Sequence, residues 1–374
     1  MAFFREVGVP LHEEPGGKLF PDSNSARDVL NALLTEAERL GVKFMNGTRV
    51  STVVRDGDPE RVAPHQAVAP QQSLERVAPQ QSVAPYRLRV VTKDLDLLAR
   101  RVVLATGGQS LPKSGSDGKG FEIARRLGHT IVPTTPALVP LLVKDEKHAM
   151  HRALSGVAHE AELTLWVDDA VEIRLSGALL WTHFGISGPL ALNMSRHWLR
   201  ATLAGGATLS NAATLSSGAT LSGSPALTLN FCPGETFDNL ERWWTARTKQ
   251  HPQTSVATQL STRLPASVAA KLLEQTGIDG AITLAHFARD DRRRLSHALV
   301  KWPLAVTGNR GYTYAEVTAG GVSLDEIDPA TMRSRVCDGL SLVGEILDVD
   351  GRIGGFNFQW AWSSAHVAAQ AVDN

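Results

Sequence analysis

The stretch GLSLVGEILDVDGRIGGFNFQWAWSSAHVAA, residues 339–369, decides how the fold is assigned. Leu340–Val343 is a short apolar run typical of a buried strand, and Gly344-Glu345 ends it with a carboxylate where open α/β sheets bind ligands. Gly354-Gly355 then lets backbone approach a ligand closely, and Asn357 predicts the cap of a helix whose N-terminus faces the same place. This order suits a flavin dinucleotide. An ordinary βα turn with acidic loop residues is the alternative that these residues leave open.

Composition favours an ordinary globular protein. The 374 residues are 43% hydrophobic and 20% charged, and Lys+Arg and Asp+Glu both number 38, so net charge supports neither a nucleic-acid partner nor a membrane partner. Cys232 and Cys337 form no disulfide framework and no metal motif, which predicts a reducing compartment and no metal site. With no signal-peptide core and no apolar run of roughly 20 residues, the chain is predicted to be cytoplasmic.

The first part of the chain predicts an αβ unit. Ser25–Asp28 resembles a capping box, apolar positions then recur at helical spacing, and Gly41 ends the helix. Val42–Phe44 is predicted to be the following strand of a parallel sheet, and a further strand begins at Thr48. The chain has no opening strand followed by a glycine-rich turn.

A second glycine pair ends a β-branched run. Tyr86–Val91 and Leu98–Leu104 predict a hairpin-like pair, and the second strand runs into Ala105-Thr106-Gly107-Gly108, which would deliver bare backbone to a ligand. A simple strand-ending turn is the alternative. Ser114–Gly120 matches neither a dinucleotide GxGxxG nor a Walker A loop, so a loop and helix start are predicted there, with phosphate contact left open.

Two tracts are of low complexity. Residues 60–85 repeat Pro- and Gln-rich units that cannot build a core, which predicts a disordered insertion, with a Pro-rich ligand motif as the alternative. Residues 201–224 repeat Ala-Thr-Leu with a six-residue period and are predicted to be an expanded loop.

The middle of the chain has a different architecture. Ala161–Val167 and Val171–Leu175 alternate with period two, as antiparallel strands do, and residues 237–300 are helical in pattern. His183 lies between aromatic residues before a glycine-proline turn, where a packed structural role and a catalytic or substrate role both stay open. Tyr312–Thr318 is then predicted to be a strand that ends at Gly320-Gly321. A sheet that is interrupted by an insert and then resumed explains this order, and its three glycine pairs would converge on one crevice for a large flat cofactor.

Seven ordered motifs together resemble the bacterial HI0933-like flavoprotein family, whose members are labelled aminoacetone-oxidase-like or NAD(P)/FAD-dependent oxidoreductases. They are VLATGGQS at 103–110, GH at 128–129, PALVPL at 136–141, THFGISGP at 182–189, VTAGGV at 317–322, TM at 331–332 and GEILDVDG at 344–351. The resemblance spans nearly the whole chain apart from the two tracts. It implies an α/β fold with a Rossmann-like FAD domain of the two-dinucleotide-binding type, over 1–135 and 310–374. An antiparallel β-barrel-like module at 136–236 and a small helical module at 237–309 would interrupt it.

The resemblance also implies which residues hold FAD, the expected cofactor. Those that would line the cleft or lie near the flavin are Ala105, Thr106, Gly107, Gly108, Thr318, Gly320 and Gly321. Glu345 and Asp348, beside Gly344, would face ribityl or ribose hydroxyls, and Gly354, Gly355, Phe356 and Asn357 would meet the isoalloxazine ring. His183, the candidate catalytic residue, would lie on the substrate side.

One element of the family is missing from this sequence. Such proteins begin with a strand, a GxGxxG turn, a helix and an acidic residue, which together hold the ADP half of FAD. None of these occurs here, so an N-terminally truncated gene product or a misassigned start is expected. Loss of that unit predicts weak or absent FAD binding and marginal folding.

The expected function is a flavin-dependent oxidoreductase, with NAD(P)H as a candidate electron donor. Members of the family are associated with reduction of conjugated C=C bonds, in steroid-like enones or in uridine of ribosomal RNA, and with oxidation of small amines by dioxygen. A small-molecule substrate is expected first, because RNA would need a basic face to which only Arg292–Arg294 contribute locally. The alternative is a non-catalytic remnant whose insert modules bind a partner. Binding of NAD(P) alone has little support, and no feature predicts an oligomeric state.

Overall fold

The computed structural model describes residues 2–14, 17–55, 87–146, 149–204 and 225–372. The prediction of a disordered insertion at 60–85 lies outside these residues, and so does most of the predicted loop at 201–224. The last turn of a helix, at 201–204, occupies the start of the second tract.

The described strands are short and lie in several separate sheets. In chain order they are β1 Leu11–Glu14, β2 Lys18–Pro21, β3 Val50–Arg55, β4 Leu88–Thr92, β5 Asp96–Ala99, β6 Val102–Leu104, β7 Ile131–Ala137, β8 Leu141–Val143, β9 Ala158–Val167, β10 Ala170–Thr182, β11 Gly185–Ser187, β12 Ala226–Asn230, β13 Trp302–Leu304, β14 Val306–Asn309, β15 Val317–Val322, β16 Ile327–Asp328, β17 Arg333–Ser334 and β18 Leu340–Leu342.

The described helices follow the same order along the chain. They are α1 Ala2–Glu6, α2 Ala26–Arg39, α3 Lys119–Arg126, α4 Met150–Ala153, α5 Gly188–Ala204, α6 Phe237–Gln250, α7 Val256–Leu260, α8 Ala266–Thr276, α9 Arg289–Val300 and α10 Phe356–Val372.

The largest sheet has seven strands in the order β13-β12-β9-β10-β11-β8-β14, and every pairing in it is antiparallel. The first and last strands of this order, β13 and β14, are separated along the chain by Ala305 alone. The order therefore begins and ends on one continuous stretch of chain. The predicted strands at 161–167 and 171–175 correspond to β9 and β10.

One hydrophobic core serves this sheet and the helices that follow it. Trp181 from β10, Phe231 after β12, Trp244 from α6 and Leu299 from α9 belong to the same buried cluster. The indole N–H of the buried Trp181 donates a hydrogen bond to His159 Nε2 at 3.0 Å, so this buried donor has a partner. The helical pattern predicted for 237–300 is confirmed as α6–α9. The proposed division into two inserted modules stays a prediction.

The Rossmann-like part is built around a four-stranded sheet in the order β16-β17-β18-β6. Leu340–Leu342 of β18 pairs in parallel with Val102–Leu104 of β6, as expected where a sheet is resumed after an insert. A second core packs α3 and α10 onto these strands, and it includes Phe121, Leu342 and Ala368. Small residues on α10 let it lie close to the sheet, as its Ala- and Ser-rich sequence predicts; its buried residues are Ser364, Ala368 and Ala371.

Three smaller sheets complete the fold of the described residues. Strand β1 pairs antiparallel with β2, β15 pairs antiparallel with β7, and β4 pairs antiparallel with β3 and with β5. At one end of the β3–β4 ladder, Arg55 lies directly opposite Leu88. The predicted hairpin at 86–104 is therefore only partly right, because β5 closes it and β6 instead pairs in parallel with β18 in the four-stranded sheet, whose other pairings are antiparallel.

The helix signals near the N-terminus are confirmed. Ser25 Oγ accepts a hydrogen bond from the Asp28 amide, so it caps α2, and Gly41 follows the helix in a left-handed conformation with φ +78°. The strand predicted at Val42–Phe44 is wrong. The segment is not assigned as a strand and both apolar side chains are exposed, because no neighbouring strand among the described residues offers it a ladder.

Three other sequence predictions need correction. The strand predicted at Tyr312–Thr318 begins at Val317, so Gly320 and Gly321 lie inside β15 and accompany a register shift rather than ending the strand. Asn357 is not the cap of α10, because the helix begins one residue earlier, at Phe356. The side-chain amide of Asn357 instead binds the backbone of Gly351: its oxygen accepts from the Gly351 amide, and its nitrogen donates to the Gly351 carbonyl. Helix α5 was missed, since Gly188-Pro189 predicts a turn but instead opens the helix, where proline is tolerated.

Several apolar side chains on β6, α10 and α2 are left exposed. Strand β6 ends the sheet order, so among the described residues its outer side pairs with no strand, and Val103 on it is 45% exposed. Phe358 on α10 is 73% exposed, and α2 contains no buried residue although its apolar positions follow helical spacing. These faces lack the covering layer that α/β sheets normally have.

Candidate functional site

Gly108 lies where three distant segments meet. The run Ala105–Gly108 follows β6, and a Cβ atom on Gly108 would lie 2.5 Å from both Glu345 Oε1 and Thr318 Oγ1. Contacts that short do not occur at a real Cβ, so this position requires glycine. The sequence prediction that bare backbone is needed here therefore has a physical reason, although the atoms that require it belong to the protein.

Thr318 joins the three segments by hydrogen bonds. Its buried hydroxyl accepts from the amides of Gln109 at 2.7 Å and Ser110 at 3.1 Å. Its own amide donates to Glu345 Oε1 at 2.8 Å. We call Gly108, Thr318 and Glu345 the junction, because these bonds fix the end of β6, strand β15 and the turn after β18 relative to one another.

Glu345 is a partly buried carboxylate at the junction. Burial raises the pKa of its carboxyl group, and the hydrogen bond from the Thr318 amide offsets this only in part. No cation lies within 4.0 Å of it among the described residues. A carboxylate in this environment is ready to accept a hydrogen bond from a ligand hydroxyl.

A buried hydroxyl beside Gly107 is unsatisfied. A Cβ on Gly107 would lie 2.8 Å from Ser116 Oγ, and in the part of the chain that is described this oxygen is buried without a hydrogen-bond partner. Buried polar groups are rarely left unpaired, so the oxygen indicates a ligand group or solvent beside the turn. Thr106, on the same turn, packs against Gly120 at the start of α3.

Gly320 and Gly321 approach protein backbone closely. A Cβ on Gly320 would lie 2.8 Å from Thr134 Cα, and one on Gly321 would lie 2.6 Å from the carbonyl oxygen of Ile346. The structure thus brings both residues to the junction through tight packing of β15. Their predicted proximity to the flavin stays a prediction.

The N-terminus of α10 faces open space. Gly355 adopts φ +87° with no atom within 4 Å of its Cβ position, and Phe356 beside it is 45% exposed. The other end of α10 is held by Arg101, whose guanidinium donates to the Ala371 carbonyl at 3.0 Å. Two side chains of α10 bind the backbone of Gly344, in the turn after β18. The Gly344 amide donates to Ser364 Oγ, and the Gly344 carbonyl accepts from the Trp360 indole. These two bonds fix the middle of α10 against the turn after β18.

The acidic loop before α10 is held by α5. Asp348 Oδ1 accepts from Arg200 at 3.0 Å, and Asp350 accepts from Arg196 through both its carboxylate and its carbonyl oxygen. Asn193 on the same helix accepts from the Ile353 amide at 2.8 Å. One oxygen of Asp348 is therefore engaged by protein, while its predicted role at ribose or ribityl hydroxyls is untested. The i, i+3, i+7 spacing of the three α5 residues would have signalled this face had the helix been recognised.

His183 lies in the turn between β10 and β11. Its side chain is exposed and its ring meets the Phe184 ring edge-on at 5.0 Å, while the neighbouring Thr182 hydroxyl is buried without a partner among the described residues. No hydrogen bond or ring contact in the described structure joins His183 to the junction. Its catalytic role stays a prediction.

The buried His129, with the partly exposed Glu326 and Ser334, has the spacing of a catalytic triad. His129 Nδ1 lies 2.8 Å from Glu326 Oε2, and Nε2 lies 2.8 Å from Ser334 Oγ. Ser334 Oγ also accepts from two backbone amides, at 3.0 and 2.8 Å. Because these amides occupy its lone pairs, the oxygen cannot act as a nucleophile. The cluster instead ties β7 to the β16–β17 hairpin.

These features fit a flavin dinucleotide. The unsatisfied Ser116 hydroxyl beside the turn, the Glu345 carboxylate and the uncovered backbone at Gly355 provide groups for hydroxyls, phosphate and a flat ring. The residues that would hold it come from the end of β6, the turn after β18 and the start of α10. These are the segments at which sequence reasoning expected the cofactor.

The described residues give no evidence for a metal site, a membrane-spanning helix or a disulfide. No three His, Cys, Asp or Glu side chains gather as a metal site would need within the described ranges. Among those same residues, no helix has the length and apolar character to cross a bilayer. Cys232 and Cys337 are buried in different cores, so they do not form a disulfide with each other.

Comparison with known proteins gives one consistent family. The family described as "HI0933-like protein Rossmann domain" matches residues 1–371. The chain is 30% identical over 369 residues to the ribosomal RNA dihydrouridine synthase of Escherichia coli, covering 97% of this chain and 76% of that protein. It is 28% identical to the Haemophilus influenzae protein of the same name, covering 98% and 77%. It is also 28% identical over 372 residues to the 3-dehydro-bile acid delta(4,6)-reductase of Clostridium scindens, covering 100% and 79%.

Proposed function

The chain belongs to the HI0933-like Rossmann-domain family, and from this we propose that it is an FAD-dependent oxidoreductase. FAD would lie across the turn Ala105–Gly108, the Glu345 carboxylate and the N-terminus of α10. The observation that carries this proposal is the junction, where Gly108, Thr318 and Glu345 bring three ligand-facing segments together at hydrogen-bond distance.

Each part of the site has a defined task in this proposal. Glu345 accepts hydrogen bonds from cofactor hydroxyls, and the α10 N-terminus offers amides and a positive dipole end to a polar ring edge or a phosphate. Arg196 and Arg200 keep the acidic loop in place by pairing with Asp350 and Asp348, which leaves the loop backbone oriented toward the cleft. When bound, the flavin supplies hydride acceptance and donation.

We propose that the reaction is reduction of a conjugated C=C bond in a small molecule, with NAD(P)H as the electron donor. Oxidation of a small amine is the less favoured alternative. Support comes from the names of the relatives, a reductase and two dihydrouridine synthases. Those two names also make uridine in RNA the second candidate. The local basic run gives RNA little support, because Arg292 pairs with Glu241 and Arg294 pairs with Asp291.

We also propose that the FAD site is completed by a further strand–helix unit on the outer edge of β6. Its support is the edge of β6 that pairs with no strand among the described residues, with Val103 exposed on that strand and Phe358 exposed on α10. Without such a unit the site lacks a phosphate-binding turn, so FAD would bind weakly. The insert is proposed to be a barrel-like module, which the order of its sheet supports, since that order begins and ends on residues 302–309.

A pair of glycine variants tests the cofactor site. Gly355 and Gly234 both have positive φ, +87° and +75°, and neither has an atom within 4 Å of its Cβ position. Gly355→Val and Gly234→Val therefore carry similar backbone strain, but only the first places a side chain in the proposed site. In a fluorescence titration of the purified chain with FAD, we expect saturable binding that Gly355→Val weakens at least tenfold and Gly234→Val leaves unchanged.

The possible outcomes separate the proposals. Equal FAD affinity in the two variants would contradict the proposal that FAD lies at the N-terminus of α10. Absence of any saturable binding by the wild-type chain would favour the alternative of a non-catalytic remnant. Stoichiometric FAD retained through desalting would overturn the proposed missing strand–helix unit while leaving the cofactor assignment intact.

A further inference from the structure

Arg310 is held between two aromatic rings. Its guanidinium carbon lies 3.5 Å from the centre of the Tyr314 ring and 4.6 Å from the centre of the Phe184 ring. Phe184 belongs to the turn after β10, whereas Arg310 and Tyr314 follow β14, so the group joins two strand ends of the large sheet. Stacking on rings in this way fixes a guanidinium without using its N–H donors. We call these three residues the arginine stack.

Arg310 forms no ion pair within the described structure. No carboxylate oxygen of the described residues lies within 4.0 Å of its guanidinium, in contrast to Arg196 and Arg200, which each pair with an aspartate. Tyr314 is 50% exposed as a residue, so the stack lies at the surface and a ligand can reach it. Donors that lie in the guanidinium plane suit the two oxygens of a carboxylate or a phosphate.

The arginine stack borders the junction. The amide of Leu111 donates to the carbonyl of Tyr312 at 3.0 Å, and Leu111 directly follows Ser110, whose amide donates to Thr318. The Thr134 hydroxyl donates to Gln109 Oε1 at 3.0 Å and also interacts with the Tyr312 phenol, whose pKa is raised by burial. The loop that carries Arg310 and Tyr314 is thereby tied to the residues that follow Gly108.

We propose that the arginine stack is a subsite for the anionic group of a planar substrate. The Arg310 N–H donors would bind a phosphate or carboxylate, and the exposed part of the Tyr314 ring offers a surface on which a planar ring can stack. A substrate anchored in this way extends toward the junction, where the cofactor is proposed to lie. The inference rests on the proposed function only for that orientation, since binding of the anion does not require FAD.

Calorimetric titrations of the full chain with matched ligand pairs test the subsite. Uridine 5′-monophosphate is compared with uridine for the phosphate source, and orotate is compared with uracil for the carboxylate source. We expect the anionic member of at least one pair to bind at least tenfold more tightly than its neutral counterpart, and Arg310→Met to abolish that preference. Arg310→Lys keeps the charge but loses the planar fork, so it should retain only part of the preference.

Arg293 provides the control. Its guanidinium also stacks on an aromatic ring, 5.0 Å from Phe237, but it lies on α9 in the helical region. Arg293→Met should keep the full preference for the anion. No preference in either pair, or a preference that survives in Arg310→Met, would overturn the subsite. FAD titration of Arg310→Met separates this result from the cofactor proposal, because its FAD affinity should equal that of the wild-type chain.

Discussion

Replacement of Gly320 by alanine is expected to destabilise the protein by about 3 kcal/mol or more, which lowers the melting temperature by roughly 4 °C or more. Gly320 has φ +87°, a conformation that costs an L-residue roughly 1–2 kcal/mol. The added Cβ would also lie 2.8 Å from Thr134 Cα and 2.9 Å from the Pro133 carbonyl carbon. Backbone atoms of β7 cannot rotate away as a flexible side chain can, so the β7–β15 ribbon must shift. Thermal unfolding followed by circular dichroism measures the effect.

Gly311→Ala is the matched control for this prediction. Gly311 has a similar conformation, φ +69°, but no atom lies within 4 Å of its Cβ position. Its substitution should therefore cost only the strain of the backbone, on the order of 1 kcal/mol. Equal melting temperatures for the two variants would show that close packing of β15 on β7 does not contribute, contrary to the geometry of the ribbon.

Glu345→Gln is expected to weaken FAD binding by about 10- to 100-fold while it leaves the protein at least as stable at neutral pH. A raised carboxyl pKa means that the folded state keeps a proton which the unfolded state releases. Stability therefore falls as pH rises through the interval between the unfolded and folded pKa values, and above it the buried charge costs its full penalty. Glutamine cannot ionise, so this fall should be absent, yet glutamine still offers an oxygen to the Thr318 amide.

Glu326→Gln should show the opposite pH dependence. Burial alone would raise the pKa of Glu326, but hydrogen bonds from Thr130 and from His129 outweigh it and hold that pKa below its usual value. Its carboxylate therefore stabilises the fold above the unfolded pKa, and this contribution is lost as pH falls through the folded pKa. The variant should lose stability at neutral pH and keep FAD affinity. Urea unfolding between pH 3 and pH 8, with FAD titration at pH 7, checks both variants. If the two substitutions changed the pH dependence of stability in the same direction, the opposite pKa shifts of Glu345 and Glu326 would be contradicted.

The parts that sequence reasoning predicted are local. The strand at Leu340–Leu342 and the helix at Phe356–Val372 follow from short apolar runs, glycine pairs and residue size. The same patterns placed the end of β6 and Glu345 near each other, because strands of a parallel sheet end at one edge. The capped helix α2 likewise depends on neighbours within a few positions.

The parts that were missed depend on distant residues. The family resemblance placed Thr318 near the flavin but not its hydrogen bonds: its hydroxyl accepts from amides more than 200 positions away, and no local pattern encodes those bonds. Arg310 meets Phe184 only after β14 and β11 have both paired with β8. Val42–Phe44 shows the opposite case, since its strand-like composition produces no strand where no partner is available.

The ladder between β3 and β4 has a consequence for how this gene can vary. Arg55 lies opposite Leu88, so the two ends of the 32-residue connection between them are neighbours in the fold. The closure entropy of such a connection grows only with the logarithm of its length, and each doubling costs about 0.6 kcal/mol. Gain or loss of repeat units in this tract is thus nearly neutral for folding. We expect the number of repeat units to differ between close relatives while the residues on either side stay constant.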